Sequence, residues 1–195
     1  MNFLAHIFLS GNDHEIMAGN FIGDFVKGAQ MDEYPEQIKM GIKLHREIDQ
    51  FTDSHPIVLK SKERLRPEFR HYSPVIVDVF YDHFLARDWD KFSTISLEQY
   101  TMEFYLTIDQ FKKVIPNAAN HMLSYMKRDN WLYNYRLTEG IHKALSGMAR
   151  RTPYNSKMET AATFLKRDYE AFSEEFHDFF PELRRHTELF ISSIK

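Results

Sequence analysis

Met158, Ala162, Leu165, Tyr169, Phe172, Phe176 and Phe179 follow one another at intervals of three or four residues. Only a helix, turning once in about 3.6 residues, gathers such a series onto one face. Shorter runs repeat the pattern: Leu44, Ile48 and Phe51 in one stretch, Val75, Val79, Phe80 and Phe84 in another. No segment alternates apolar and polar residues convincingly, as a half-buried strand would, and no glycine-rich phosphate loop is present. A chain of 195 residues can build one substantial core, whereas two domains would both be small. The expectation is an all-α, single-domain helical bundle over residues 1–195. Helices of the usual length, roughly 11–12 residues, would number about eight to ten.

Punctuating residues predict where the helices begin and end. The first starts at Asn2 or Phe3. Asn12, with Glu15 three positions on, opens a second that runs to about Lys27 and stops at Gly28. Gly19 and Gly23 lie on one side of it and let another backbone come close, while Asn20 and Asp24 sit one turn apart. Pro35 suits a first turn, and Pro56 ends that helix or bends the chain into a short one reaching about Arg66. Ser73-Pro74 opens the next helix, and Ser96 with Gln99 starts one that runs to Pro116. Asn117–Arg128 and Thr138–Arg150 follow, with an aromatic cluster of Trp131, Tyr133 and Tyr135 between them. Pro181 separates off a last helix carrying Leu183 and Phe190.

Cysteine is absent, which removes thiolate ligands and cysteine nucleophiles. Any metal must be held by His, Asp, Glu or water, a donor set that favours Mn, Fe(II), Mg or Zn over softer ions. The net charge of −3 provides no broad basic field, which argues against a nucleic-acid partner. The opening MNFLAHIFLS is apolar but too short for a membrane span or a leader, so a cytoplasmic protein without a membrane partner is expected.

Within GIKLHREIDQFTDSH, His45, Asp49 and Asp53 recur every four residues and share one helix face. A solvated charged face would explain them equally well, given Arg46 and Glu47 beside them. In VIVDVFYDHFLA, Asp78 and Asp82 repeat the spacing, and His83 follows directly. Ionised carboxylates are rarely buried without partners, so a pair inside so apolar a run points to a site. His6 in FLAHIF could be a core histidine, and Asp24 could pair with Lys27. Taken together, imidazoles and carboxylates on several helices are how a bundle assembles a metal site. A bound ion lowers the pKa of water and neutralises phosphate charge, which makes metal-assisted hydrolysis of phosphate esters the expected chemistry. The run KSKERLRPEFRHY is strongly basic and could dock an acidic partner, and Arg150 and Arg151 could reach a phosphate. A competing pattern, Glu139-x-x-His142 with Glu174-x-x-His177, matches half of a di-iron carboxylate bundle.

The segments MNFLAH, GNFIGDFVKG, LHREIDQFTD and DVFYDHFLARDW, continued by Trp131-Leu132, Tyr135 and GMARRTP, resemble the acyl carrier protein phosphodiesterases. The resemblance is dense over the first ninety or so residues and thin after Pro153. It implies an all-helical fold related to the HD-domain metal phosphohydrolases and a divalent ion, manganese foremost, with magnesium or iron(II) as alternatives. It implies hydrolysis of the phosphodiester that joins 4′-phosphopantetheine to a serine of holo-acyl carrier protein. Another phosphodiester or a nucleotide is the alternative substrate. Carried over by position, His6, Asp24, His45 and Asp82 are the expected metal ligands. Asp49 and His83 would position or deprotonate water, with Asp78 and Asp53 supporting them. Arg46, Arg64, Arg66, Arg70 and Arg151 would meet the partner or the phosphate. The order Asp82-His83 reverses the usual His-Asp.

Overall fold

The computed structural model describes residues 1–194. Among them are eleven α-helices and no strand: α1 (Phe3–Leu9), α2 (His14–Phe21), α3 (Glu36–Ser54), α4 (Pro56–Phe69), α5 (Ser73–Arg87), α6 (Leu97–Asp109), α7 (Asn117–Arg128), α8 (Trp131–Asn134), α9 (Thr138–Arg151), α10 (Ala161–Arg167) and α11 (Tyr169–Ile194). One continuous hydrophobic core runs from Met1 to Leu183.

α5 is the central post. Every residue from Val79 to Ala86 is buried, so this helix has no solvent face over two turns. It packs against α1, α4, α9 and α11. The apolar series of α11 covers it, with Phe172 edge-on to Phe80 and Phe176 edge-on to Tyr81.

α2 and α3 cross at unusually short range. A Cβ on Gly19 would lie 2.0 Å from the Ile38 carbonyl oxygen, and one on Gly41 would lie 2.1 Å from that of Ile16. The two glycines therefore let backbone touch backbone, and the contact sets the position of His45 on α3 relative to α2.

Several boundaries depart from the sequence expectation, each for a local reason. Asp13, not Asn12, caps α2, its carboxylate accepting from Glu15 N and Ile16 N. α2 stops at Phe21, and Asp24 lies in a separate 3-10 turn, Gly23–Phe25. α4 begins at Pro56 and passes through Pro67 to Phe69. α11 passes unbroken through Pro181, because Phe179, Phe180 and Leu183 on either side of it are buried and hold the helix on the core. α6 ends at Asp109, short of Pro116. Ser96 caps α6 as the sequence predicts, and α7 spans the predicted residues. No helix is long and apolar enough to cross a membrane among the described residues.

Candidate metal centre

Three helical elements meet around Asn20. α1 brings His6, α3 brings His45 and Asp49, and the turn after α2 brings Asp24. The two imidazoles stack, with ring centroids 4.1 Å apart and planes 18° from parallel. A Cβ on Gly23 would lie 2.2 Å from His45 Cγ, so glycine there makes room for the ring.

The hydrogen bonds fix both tautomers. Asn20 Nδ2 donates to the His6 carbonyl (2.7 Å) and to Ser10 Oγ (2.9 Å). Its Oδ1 must then be the atom that accepts from His6 Nδ1 at 2.9 Å. His45 Nδ1 donates to the backbone carbonyl of the same residue at 2.8 Å. With both Nδ1 atoms donating elsewhere, both Nε2 atoms point into the space between the helices. They meet only acceptors there. His6 Nε2 is 3.1 Å from Asp49 Oδ1 and 3.1 Å from the Met1 carbonyl, and His45 Nε2 is 3.2 Å from Asp49 Oδ2 and 3.2 Å from Asp24 Oδ1.

A ring of acceptors needs a proton or a cation at its centre. Burial opposes charge on His45, but hydrogen bonds to Asp24 and Asp49 overcome it and raise the ring to about 9. Burial and the neighbouring charge of His45 push His6 the other way, below the ordinary imidazole range. Burial would raise Asp49, yet its bonds to His45 and His6 hold it well below the usual carboxylate range. Donor atoms of His6, His45 and Asp49 all lie within 4.8 Å of one another, the only such grouping of three or more potential ligands among the described residues. Two imidazoles and a carboxylate, each imidazole braced through its other nitrogen, suit a divalent first-row ion. The side chains of Asp49 and Asp24 are 40% and 67% exposed, so the cluster opens to solvent on the carboxylate side.

The other expected site residues lie elsewhere. Asp82 is fully buried, and its two oxygens accept from Leu4 N (2.7 Å) and Ala5 N (3.2 Å). It anchors the N-terminus of α1 and so places His6 indirectly. Burial raises its carboxyl to about 7. His83 is spoken for at both nitrogens, donating to the Tyr135 carbonyl at 2.7 Å and accepting from the Tyr169 hydroxyl at 2.8 Å. It keeps no lone pair for a metal or a water. Asp78 meets the Met1 amino group at 3.1 Å, and Asp53 meets Lys62 Nζ at 2.7 Å. Arg64 chelates buried Glu175 at 2.6 and 2.7 Å and is no free docking cation. Arg66 and Arg70 line an open hollow of about 370 Å³ with Lys62 and His71. Arg46 is exposed beside His45, its Nη2 3.4 Å from the Val26 carbonyl, and Arg151 is exposed at the end of α9. The di-iron pattern fails. Glu139, His142 and Glu174 face outward, and His177 pairs with Asp88 at 2.9 Å.

Sequence reasoning places Asn20 one turn from Asp24 but gives it no role in the site. Its signal was present, since a buried amide inside the apolar run IMAGNF must have partners.

The family model described as acyl carrier protein phosphodiesterase matches residues 1–183. Proteins named acyl carrier protein phosphodiesterase from Photorhabdus laumondii, Enterobacter sp. (strain 638) and Escherichia coli O6:H1 are 31%, 33% and 32% identical to this chain. The alignments cover 96%, 94% and 94% of this chain, and 96%, 95% and 95% of those relatives. No solved structure matches. The chain belongs to the acyl carrier protein phosphodiesterase family.

Proposed function

We propose that this member of the family is a metal-dependent phosphoric diester hydrolase acting on holo-acyl carrier protein. The bond broken joins 4′-phosphopantetheine to the carrier serine, and apo carrier is released. The observation that carries the metal requirement is the convergence of two imidazole Nε2 atoms and the Asp49 carboxylate on one point. Manganese is the foremost ion, with magnesium and iron(II) as alternatives on the same donor set. When bound, such an ion supplies a water of lowered pKa and offsets phosphate charge.

The chain's own residues do the rest. Asn20 holds both imidazoles in register. Asp49 spans them with its two oxygens, and Asp24, the more exposed carboxylate, is placed to take a proton from a water on the open side. Aspartates and histidines drawn from separate elements support an HD-like description, with Asp82-His83 outside the cluster. The one continuous core supports reading the chain as a single domain. An acidic carrier gives the exposed Arg66 and Arg70 a partner, Arg46 and Arg151 are candidates for the phosphate, and a carrier substrate makes the cytoplasm the place of action.

The test is incubation with manganese and holo-acyl carrier protein, followed by mass spectrometry for loss of the phosphopantetheine mass. Loss with wild type, abolished by chelator and by His45→Ala, is expected. Hydrolysis of other phosphodiesters with no loss from holo carrier would move the substrate assignment to those diesters.

A further inference from the structure

Between α8 and α9 lies a cavity of about 450 Å³, walled by Trp131, Tyr135, Ala144 and Gly147, with Lys143 and Arg150 among its lining residues. That volume lies in the range of small-molecule sites, roughly 300–1,000 Å³. A relay of hydrogen bonds links its back wall to the metal centre. The Tyr135 hydroxyl accepts from Asn2 Nδ2 at 3.2 Å, and the carbonyl of the preceding Met1 is 3.1 Å from His6 Nε2.

Two features of the cavity bear on what it could hold. Gly147 sits inside a helix, where glycine costs about 1 kcal/mol relative to alanine. A Cβ there would meet nothing closer than the Arg150 guanidinium at 3.8 Å, so no crowding accounts for the glycine. Gly140, by contrast, is explained by packing, since its Cβ would lie 2.0 Å from the Asn134 carbonyl. The second feature is donor surplus. Neither Lys143 nor Arg150 has an ion-pair partner among the described residues, while lining Asp129 is occupied by Arg128 at 2.7 Å.

We propose that this cavity holds the pantetheine arm of the substrate, a flexible amide-bearing chain attached to the phosphate. The inference rests on the hydrolase reading given above. The indole and phenol rings pack against the aliphatic part of the arm, and Lys143 and Arg150 donate to its amide carbonyls. A purely apolar guest would leave both cations unused. A bare anion would leave the aromatic wall unused.

Calorimetry of the manganese-loaded protein compares 4′-phosphopantetheine with inorganic phosphate. Wild type should bind the former about tenfold tighter or more, a difference of about 1.4 kcal/mol. Gly147→Leu should erase that advantage while leaving manganese content and phosphate affinity unmoved. The Lys143→Gln/Arg150→Gln variant, whose changes are solvent-facing, should reduce it if Gly147→Leu fails to fold. Trp131→Phe should abolish the fluorescence change that accompanies phosphopantetheine binding. Equal affinities in wild type, an advantage that survives these variants, or phosphate affinity lost with Lys143 and Arg150 would each overturn the proposal. Arm-dependent binding without hydrolysis of holo carrier would sink the hydrolase reading alone, and hydrolysis without arm-dependent binding would sink the cavity alone.

Discussion

Asn20 touches no solvent and makes four hydrogen bonds, one to each imidazole, one to the His6 carbonyl and one to Ser10. Asn20→Ala removes the side-chain brace of His6 but leaves the backbone acceptor of His45. Partners of this kind typically govern metal affinity by about 10–100-fold. A weakening of that size in a manganese titration is expected, with the far-ultraviolet helical signal retained; unchanged affinity would remove Asn20 from the site. At Glu175 the same scale yields a pH prediction. Burial raises this carboxyl, but Arg64 and Ser61 pull it net below the ordinary range. The depressed carboxyl therefore adds stability above the unfolded value of 4.5, and that contribution fades as pH falls through the lower folded value. Glu175→Gln should flatten the loss of melting temperature below about pH 4.5. Arg64→Ala should cost about 1–3 kcal/mol in urea unfolding, because it leaves the buried Glu175 carboxylate with only Ser61 and the exposed Lys60 as partners. A loss under about 1 kcal/mol would mean the pair behaves as a surface ion pair.

At the scale of elements, the α2–α3 crossing decides whether the imidazoles meet. Gly19→Ala places a methyl 2.0 Å from the Ile38 carbonyl, so the two helices must part. Overpacking of this kind costs typically 1–3 kcal/mol, and it should weaken metal binding as well. Gly23→Ala collides instead with the His45 ring at 2.2 Å. It should weaken manganese binding at least as much as Gly19→Ala with a smaller drop in melting temperature. The reverse ranking would show that the crossing does not govern the site. The glycines were legible in the sequence as places of close approach. Their partners were not, because Gly41 and His45 are brought opposite α2 only by the chain's return through residues 22–35.

For the whole molecule, charge placement matters more than charge count. The basic run looks uniform in sequence, yet Arg64 is consumed by Glu175 and Lys62 by Asp53, leaving Arg66, Arg70 and His71 exposed. Arg66→Ala/Arg70→Ala should raise KM for holo carrier roughly 3–10-fold, more than for a small phosphodiester, with the gap closing at high salt. Equal effects on both substrates would remove the docking role. The sequence alone determined an all-helical chain, most helix positions, and a short set of His and Asp residues able to bind a hard or borderline ion, because period and residue chemistry are local properties. Only the tertiary structure decided which of them share a centre. Asp82 and His83 carry the right chemistry, but the α1 N-terminus and the Tyr135 and Tyr169 groups satisfy them first. His6, His45 and Asp49 turn their ligand atoms toward one another, because helices distant in sequence pack with these three side chains between them.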